Sequence, residues 1–175
     1  MWVQVPSSAP NMNDPKYGSH LPVLLRLLEK TSGPVLEMGM GLWSTPMLHL
    51  MCEKDNRPLV SYDSDKKWAK DNLKWSNDYH RVGLIEESWD EIPFENEHWS
   101  VVLIDQRPGI RRHIDALRLK DKADFIVIHD SEPEGDKFYR YSKIYKYFKY
   151  VYHYTKVRPH TTVLSNLWDP EVILS

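Results

Sequence analysis

Pro34-Val35-Leu36-Glu37-Met38-Gly39-Met40-Gly41 is a short apolar strand closing on a carboxylate, then two glycines one residue apart, then the start of a helix. Glycine carries no Cβ and takes positive φ freely, so Gly39 and Gly41 turn the chain sharply and leave bare backbone against which something bulky can lie. Ser44-Thr45-Pro46-Met47-Leu48 reads as N-cap and first turn, where a hydroxyl satisfies free amides and proline loses nothing. Strand, glycine turn and helix in this order fit a nucleotide site. Glycine turns also join strands to helices for structural reasons alone.

Outward from this stretch the pattern alternates. Upstream, Leu21, Leu24, Leu25 and Leu28 recur at helical spacing between Ser19 and Lys30, with Gly33 as a stop. Downstream, residues 45–55 suit a helix, Pro58 to Tyr62 a buried strand, Lys66 to Ser76 a helix and His80 to Ile85 a strand. Trp99 to Ile104, Arg111 to Leu119 and Asp124 to Ile128 continue as strand, helix and strand. Short apolar strands alternating with helices mark a parallel sheet covered on both faces.

The C-terminal part changes character. Phe138, Tyr141, Tyr145 and Phe148 fall on one helical face, and Tyr150, Tyr152 and Tyr154 then alternate in strand period. Arg158-Pro159-His160 separates that strand from the β-prone run Thr161 to Leu167, a spacing too short for a parallel crossover, so the two form an antiparallel hairpin. The expected fold is a doubly wound α/β domain over residues 18–175, with about seven mostly parallel strands ending in that hairpin. Residues 1–17, with Pro6, Pro10 and Pro15 among Ser and Asn, read as a flexible arm.

Bulk properties narrow the function. The 175 residues make one domain with a real core. A formal charge of -2 and a pI of 6.4 supply no global field for a phosphate backbone or an anionic membrane. Cys52 is the only cysteine, which rules out an internal disulfide and a multi-cysteine zinc site and fits a reducing, cytoplasmic setting. No apolar run reaches the roughly 18 residues of a membrane span, and Met1 to Asn13 lacks the order of a signal peptide.

Five parallel strand units followed by an antiparallel hairpin resemble the class I S-adenosylmethionine-dependent methyltransferases, over roughly residues 20–168. Four local matches carry the resemblance. Glu37, Gly39 and Gly41 look like the acidic residue and Gly-x-Gly of the first motif, which implies a carboxylate for the cofactor's ammonium group and glycines that admit its methionine and ribose portions. Trp43 replaces a family-typical third glycine, and Ser44 breaks the dinucleotide G-x-G-x-x-G. Asp63, about 20 residues beyond the glycines, suits the ribose hydroxyls, a feature shared with nicotinamide domains; it also suits a cap on the helix from Lys66. Glu86-Glu87-Ser88-Trp89 resembles the adenine-binding segment, with Glu87 and Ser88 as partners and Trp89 over the ring, or packed on the sheet beneath a solvated loop.

The fourth match is Asp105 after Val101-Val102-Leu103-Ile104, beside His129-Asp130 after Phe125-Ile126-Val127-Ile128. In a sheet of this order the two strands lie about 4.8 Å apart, so their polar ends converge. His129 is the general-base candidate, with Asp105 or Asp130 to orient its ring; it also suits a satisfied strand-end histidine. A divalent metal on the same three residues is the less favoured alternative, because Gln106-Arg107-Pro108 stands where metal-dependent relatives carry a lysine. Arg107, Arg111, Arg112, Lys137 and Arg140 can meet an anionic substrate or form a solvated face.

The resemblance implies methyl transfer from S-adenosylmethionine to a small-molecule or saccharide hydroxyl. Asp105-Gln106-Arg107-Pro108 lacks the Asp/Asn-Pro-Pro-aromatic platform that stacks a flipped base, which disfavours nucleic acid. The alternative from another class is a non-catalytic binding module that keeps the fold. A nicotinamide oxidoreductase ranks behind both.

Overall fold

A computed structural model of the chain describes residues 18–175, so the expected arm over residues 1–17 lies outside the described residues. Seven strands form one sheet: β1 (Val35–Met38), β2 (Leu59–Asp63), β3 (His80–Leu84), β4 (Trp99–Ile104), β5 (Ala123–His129), β6 (Tyr150–Tyr154) and β7 (Thr161–Ser165). Their order is β3-β2-β1-β4-β5-β7-β6. β1 to β5 are parallel, and β7 runs antiparallel between β5 and β6. The hairpin is as expected. The strand order reverses between β1 and β4, which places the glycine turn after β1 and Asp105 after β4 at the switch point where open α/β sheets bind ligands.

Period-2 alternation divides the core. Val35, Val101, Leu103, Phe125, Val127 and Val163 face α1 (Leu21–Lys30) and α2 (Ser44–Glu53). Leu36, Met38, Val102, Ile104, Ile126 and Ile128 face α4 (Arg112–Arg118) and the segment around Tyr141 and Ile144. Both faces of β4 and β5 are therefore covered, which is why these strands read as unbroken apolar runs.

Several elements differ from expectation. The helix from Lys66 is α3 (Lys66–Asn72), with a 3-10 turn over Leu73–Trp75. Its cap is Asp65, which accepts from the amides of Lys67 and Trp68, so Asp63 is released from that role. The single aromatic helix expected over Phe138 to Phe148 is instead two short pieces, α5 (Asp136–Tyr139) and α6 (Ser142–Tyr145), separated by Arg140 at φ 61°. That break sends Tyr141 into the core, 1% exposed, and leaves Phe138 half exposed. A final helix, α7 (Pro170–Leu174), is capped by Asp169 and packs against α1.

Candidate active site

The glycine turn is fixed from three sides. Gly39 has φ +93°, and a Cβ there would stand 2.5 Å from the Gln106 amide and 2.6 Å from the Asp105 carbonyl carbon. Glycine is needed at 39 because the end of β4 passes against the turn. The Met40 amide donates to Asp63 Oδ2 at 2.8 Å, and the Gly41 amide donates to Thr45 Oγ1 at 3.0 Å. Thr45 in turn donates to Glu37 Oε1 at 3.0 Å, a clasp that its reading as a mere cap residue missed.

Glu37 is fully buried, and its Oε2 has no hydrogen-bond partner among the described residues. Burial pushes its carboxyl up to about 7; hydroxyls of Ser44, Ser61 and Thr45 oppose the rise, and the Asp63 charge adds to it. Asp63 also sits above the ordinary carboxylate range because of burial, although the Asp65 and Met40 amides pull it down.

The segment after β3 differs in part from its reading. Glu87 is exposed, and Ser88 is half-buried with its hydroxyl donating to Asp90. Trp89 is only 3% exposed: its ring lies in the core beside Phe94, and its indole N–H donates to the Arg107 carbonyl at 2.9 Å. Of the two readings of Trp89, the packed one describes this ring, which forms a wall beneath the loop.

Asp105, His129 and Asp130 do converge. Each carboxylate divides its oxygens between Arg112 and His129. Asp105 Oδ1 and Asp130 Oδ2 lie 2.8 and 3.0 Å from the Arg112 guanidinium. Asp105 Oδ2 and Asp130 Oδ1 lie 3.4 and 3.7 Å from His129 Nδ1. Arg112, 5% exposed, also donates to the carbonyls of Asp105 and Gln106, and so ties the end of β4 to the cluster. Tyr141 donates to the His129 carbonyl, and Asp130 holds a left-handed φ of 54°, which an aspartate tolerates.

Two readings are corrected here. His129 turns neither nitrogen to open space: Nδ1 faces the carboxylates, and Nε2 lies 2.9 Å from Ser19 Oγ. Because Ser19 donates its own proton to the Pro159 carbonyl, it accepts from Nε2–H. The exposed polar atoms belong to Asp105 and Asp130, whose side chains are 28% and 29% accessible against 6% for His129. Arg111 and Arg112 are likewise spent on internal pairs, Arg111 with Asp90 and Asp115, which leaves Arg107, Lys137 and Arg140 as the exposed cations of the expected set.

Electrostatics follow from the charge balance. Burial works against ionising Asp105, but the His129 hydrogen bond and Arg112 outweigh it and hold the carboxyl below its ordinary value. Burial also pulls His129 down, yet Asp105 and Asp130 outweigh it and raise the imidazole above its ordinary value. With His129 protonated, two anions balance two cations. His20, which the sequence did not single out, stacks edge-on against His129 with ring centroids 4.6 Å apart. It is 2% exposed, and neither ring nitrogen has a partner among the described residues. Burial, then the His129 charge, depress it to about 3, with Asp105 opposing, so it stays neutral.

A cavity of about 470 Å³ starts one residue beyond Asp130, lined by Ser131, Pro133, Tyr145, His153, Thr155 and His160. Another of about 470 Å³ lies at the opposite, N-terminal edge of the sheet near Lys30, Asp124 and Trp168, away from the converging strand ends.

The same architecture recurs in solved structures. Cofactor-bound Rv0187 from MTB superposes with a TM-score of 0.65 at 16% identity, over 91% of this chain and 84% of that one. The chain shares the doubly wound α/β fold of such structures. An O-methyltransferase from Bacillus cereus in complex with SAH gives 0.61 at 14% identity over 88% and 82% of the two chains. The O-methyltransferase TomG from Streptomyces achromogenes in complex with SAM gives 0.61 at 14% identity over 85% and 79%. No protein-family model and no curated protein matches the sequence. Among the described residues no helix is long and apolar enough to cross a membrane.

Proposed function

We propose that the chain is an S-adenosylmethionine-dependent methyltransferase that O-methylates a small-molecule or saccharide hydroxyl. The observation that carries this reading is the pairing, across the switch point, of a buried carboxyl with an orphaned oxygen, Glu37, and a partly open carboxylate pair, Asp105 and Asp130.

The residues present fit the cofactor. Glu37 Oε2 lacks the partner that an ammonium group provides, and a buried acceptor left unpaired costs about 1–3 kcal/mol. Glu37 would hold the amino-acid end, Gly39 and Gly41 would line its path, Asp63 would receive the ribose hydroxyls, and Glu87 and Ser88 would meet the adenine edge above Trp89. When bound, the cofactor supplies an electrophilic methyl group on a sulfonium. The protein's part is to place the acceptor in line, exclude water and take a proton.

An acceptor hydroxyl brought to these strand ends would donate to an open oxygen of Asp105 or Asp130. The same carboxylates face Nδ1 of His129, so a neutral His129 receives the proton through them, and Arg112 helps to hold Asp105 ionised. Turnover then requires His129 to begin unprotonated. The second reading is a divalent cation: Asp105, His129 and Asp130 each bring one ligand atom to within 4.8 Å of the others. Such an ion would take the position of the Nδ1 proton. The metal-free reading is preferred because Arg112 already neutralises part of the carboxylate charge.

The test is transfer of labelled methyl groups to fractions of a broad small-molecule and saccharide panel, with Asp105→Asn and His129→Asn as variants. The expected result is transfer that falls at least about 100-fold in both variants while SAH affinity holds. Cofactor binding with no transfer to any fraction would overturn the catalytic reading in favour of a binding module. Chelator-sensitive turnover restored by a divalent cation would select the second reading.

A further inference from the structure

On the β3 side of Glu37 lies a buried chain of polar side chains that the proposed chemistry leaves unused. Ser61 sits opposite Glu37 in the β1–β2 register, and its hydroxyl is among the groups that pull the Glu37 carboxyl down. Ser61 Oγ is 2.9 Å from His80 Nε2, His80 Nδ1 is 3.0 Å from His49 Nδ1, and His49 Nε2 is 2.9 Å from the Tyr79 hydroxyl. Ser61 and His80 are fully buried, His49 is 8% exposed and Tyr79 is half-buried. Tyr79 precedes β3, so the chain runs from the candidate cofactor carboxylate to the opposite rim of the sheet.

Hydrogen-bond logic allows this chain two states. An Nδ1 to Nδ1 contact needs one proton, and burial holds His80 neutral by lowering it to about 4, with His49 adding to the drop. If His49 Nδ1–H donates to His80, then His80 Nε2–H donates to Ser61, Ser61 O–H points at Glu37, and Tyr79 O–H donates to His49 Nε2. This state suits a Glu37 carboxylate. In the reverse state Glu37 O–H points at Ser61, Ser61 donates to His80 Nε2, His80 Nδ1–H donates to His49, and His49 Nε2–H donates to Tyr79. The link from Ser61 to Oε2 is not closed in this structure, so it is the link that ionisation would draw in.

We propose that Ser61, His80, His49 and Tyr79 are positioning residues that form a proton relay, through which Glu37 releases its proton to the rim of the domain when a cationic group binds it. That the cation is the cofactor's ammonium rests on the function proposed above. Five hops balance the transfer. The Glu37 proton goes to Ser61, that of Ser61 to His80 Nε2, that of His80 Nδ1 to His49 Nδ1, that of His49 Nε2 to Tyr79, and that of Tyr79 to solvent. One proton leaves, both histidines change tautomer, and neither becomes a cation.

Other groups around Glu37 do not perform this exchange. From α2, Ser44 and Thr45 do not titrate, and Cys52 is pushed up to about 11 by burial. From β2, the Asp63 oxygens accept from the Met40 and Asp65 amides and make no bond to Glu37. From β4, the register partner of Glu37 is Leu103.

Imidazole 15N shifts distinguish the two tautomers of a neutral histidine, so the experiment is a pH titration of 15N-histidine-labelled protein without ligand. The expected result is that His80 passes from the Nδ1–H to the Nε2–H tautomer, and His49 from Nε2–H to Nδ1–H, over the pH range in which Glu37 ionises. Neither switch should occur in Glu37→Gln. Tautomers that stay fixed through that range, or that switch equally in Glu37→Gln, would overturn the relay. Adding SAH near pH 6 should drive the same switch. A pH-driven switch that SAH leaves untouched would uphold the relay and refute the cofactor reading.

Discussion

Replacing Glu37 by Gln removes one ionisable proton from the centre of the fold with little change in shape, and its effect on stability should depend on pH. An unfolded chain ionises this glutamate near 4.5, whereas burial holds the folded carboxyl protonated up to about 7. The folded state therefore binds the extra proton between those values, and stability is lost as pH rises through that window. At about 1.4 kcal/mol for each pH unit between the two values, the full loss is about 3 kcal/mol. Glu37→Gln escapes it. The variant should match the wild type near pH 4.5 and exceed it by about 3 kcal/mol at pH 8.5, or roughly 6–12 °C in Tm for a chain of this size. Calorimetric or fluorescence melting of both proteins across pH 4.5–8.5, without ligand, measures the difference. A gap that does not change with pH, or a variant less stable at pH 8.5, would mean that Glu37 is not held protonated in the fold.

Other expected outcomes follow from the same geometry. Arg112→Met strands two carboxylates and should cost about 3–5 kcal/mol at pH 7, read as a fall in denaturation midpoint that narrows in acid as Asp105 takes up a proton. Gly39→Ala sets a Cβ against the Asp105–Gln106 backbone at φ +93° and should destabilise by at least about 2 kcal/mol in urea melts. His20 and His80, held neutral down to about 3 and about 4, give full stability above pH 6.5 that is lost as pH falls toward those values. Together with Glu37 they should place the Tm maximum near pH 7, and His80→Leu should flatten its acid side. If His129 must start unprotonated, methyl transfer should rise with pH through an inflection above 6.5, which a pH–rate profile would locate.

Much of the fold was legible because periodicity and topology agree. β4 was bounded to the residue, since Trp99 to Ile104 is a continuous apolar run that only a doubly covered strand explains. The hairpin followed from the short link between Tyr154 and Thr161. The aromatic helix failed because Phe138, Tyr141, Tyr145 and Phe148 share a helical period without sharing a helix. Arg140 adopts a left-handed conformation that no local residue preference announces.

The candidate site was legible in position more than in detail. Strand ends located Asp105, His129 and Asp130, because parallel neighbours bring their termini together. What sequence reasoning lacked was direction: whether the His129 nitrogens face the cavity or the interior depends on Ser19 and Arg112, which are distant in sequence. Arg112 looked like surface charge because it lies in a run of cations. His20 carried no signal beyond being a polar residue at the start of an amphipathic helix, and Thr45 was hidden behind an ordinary capping pattern.

Whether Glu37 and Asp63 mark an S-adenosylmethionine site is decided by calorimetric titration with SAM, SAH and NAD. Wild-type protein should bind SAM and SAH but not NAD, and the Glu37→Ala, Asp63→Ala double variant, checked to be folded, should lose that binding. Absence of SAM and SAH binding to the wild type, or undiminished binding to the folded double variant, would contradict that assignment.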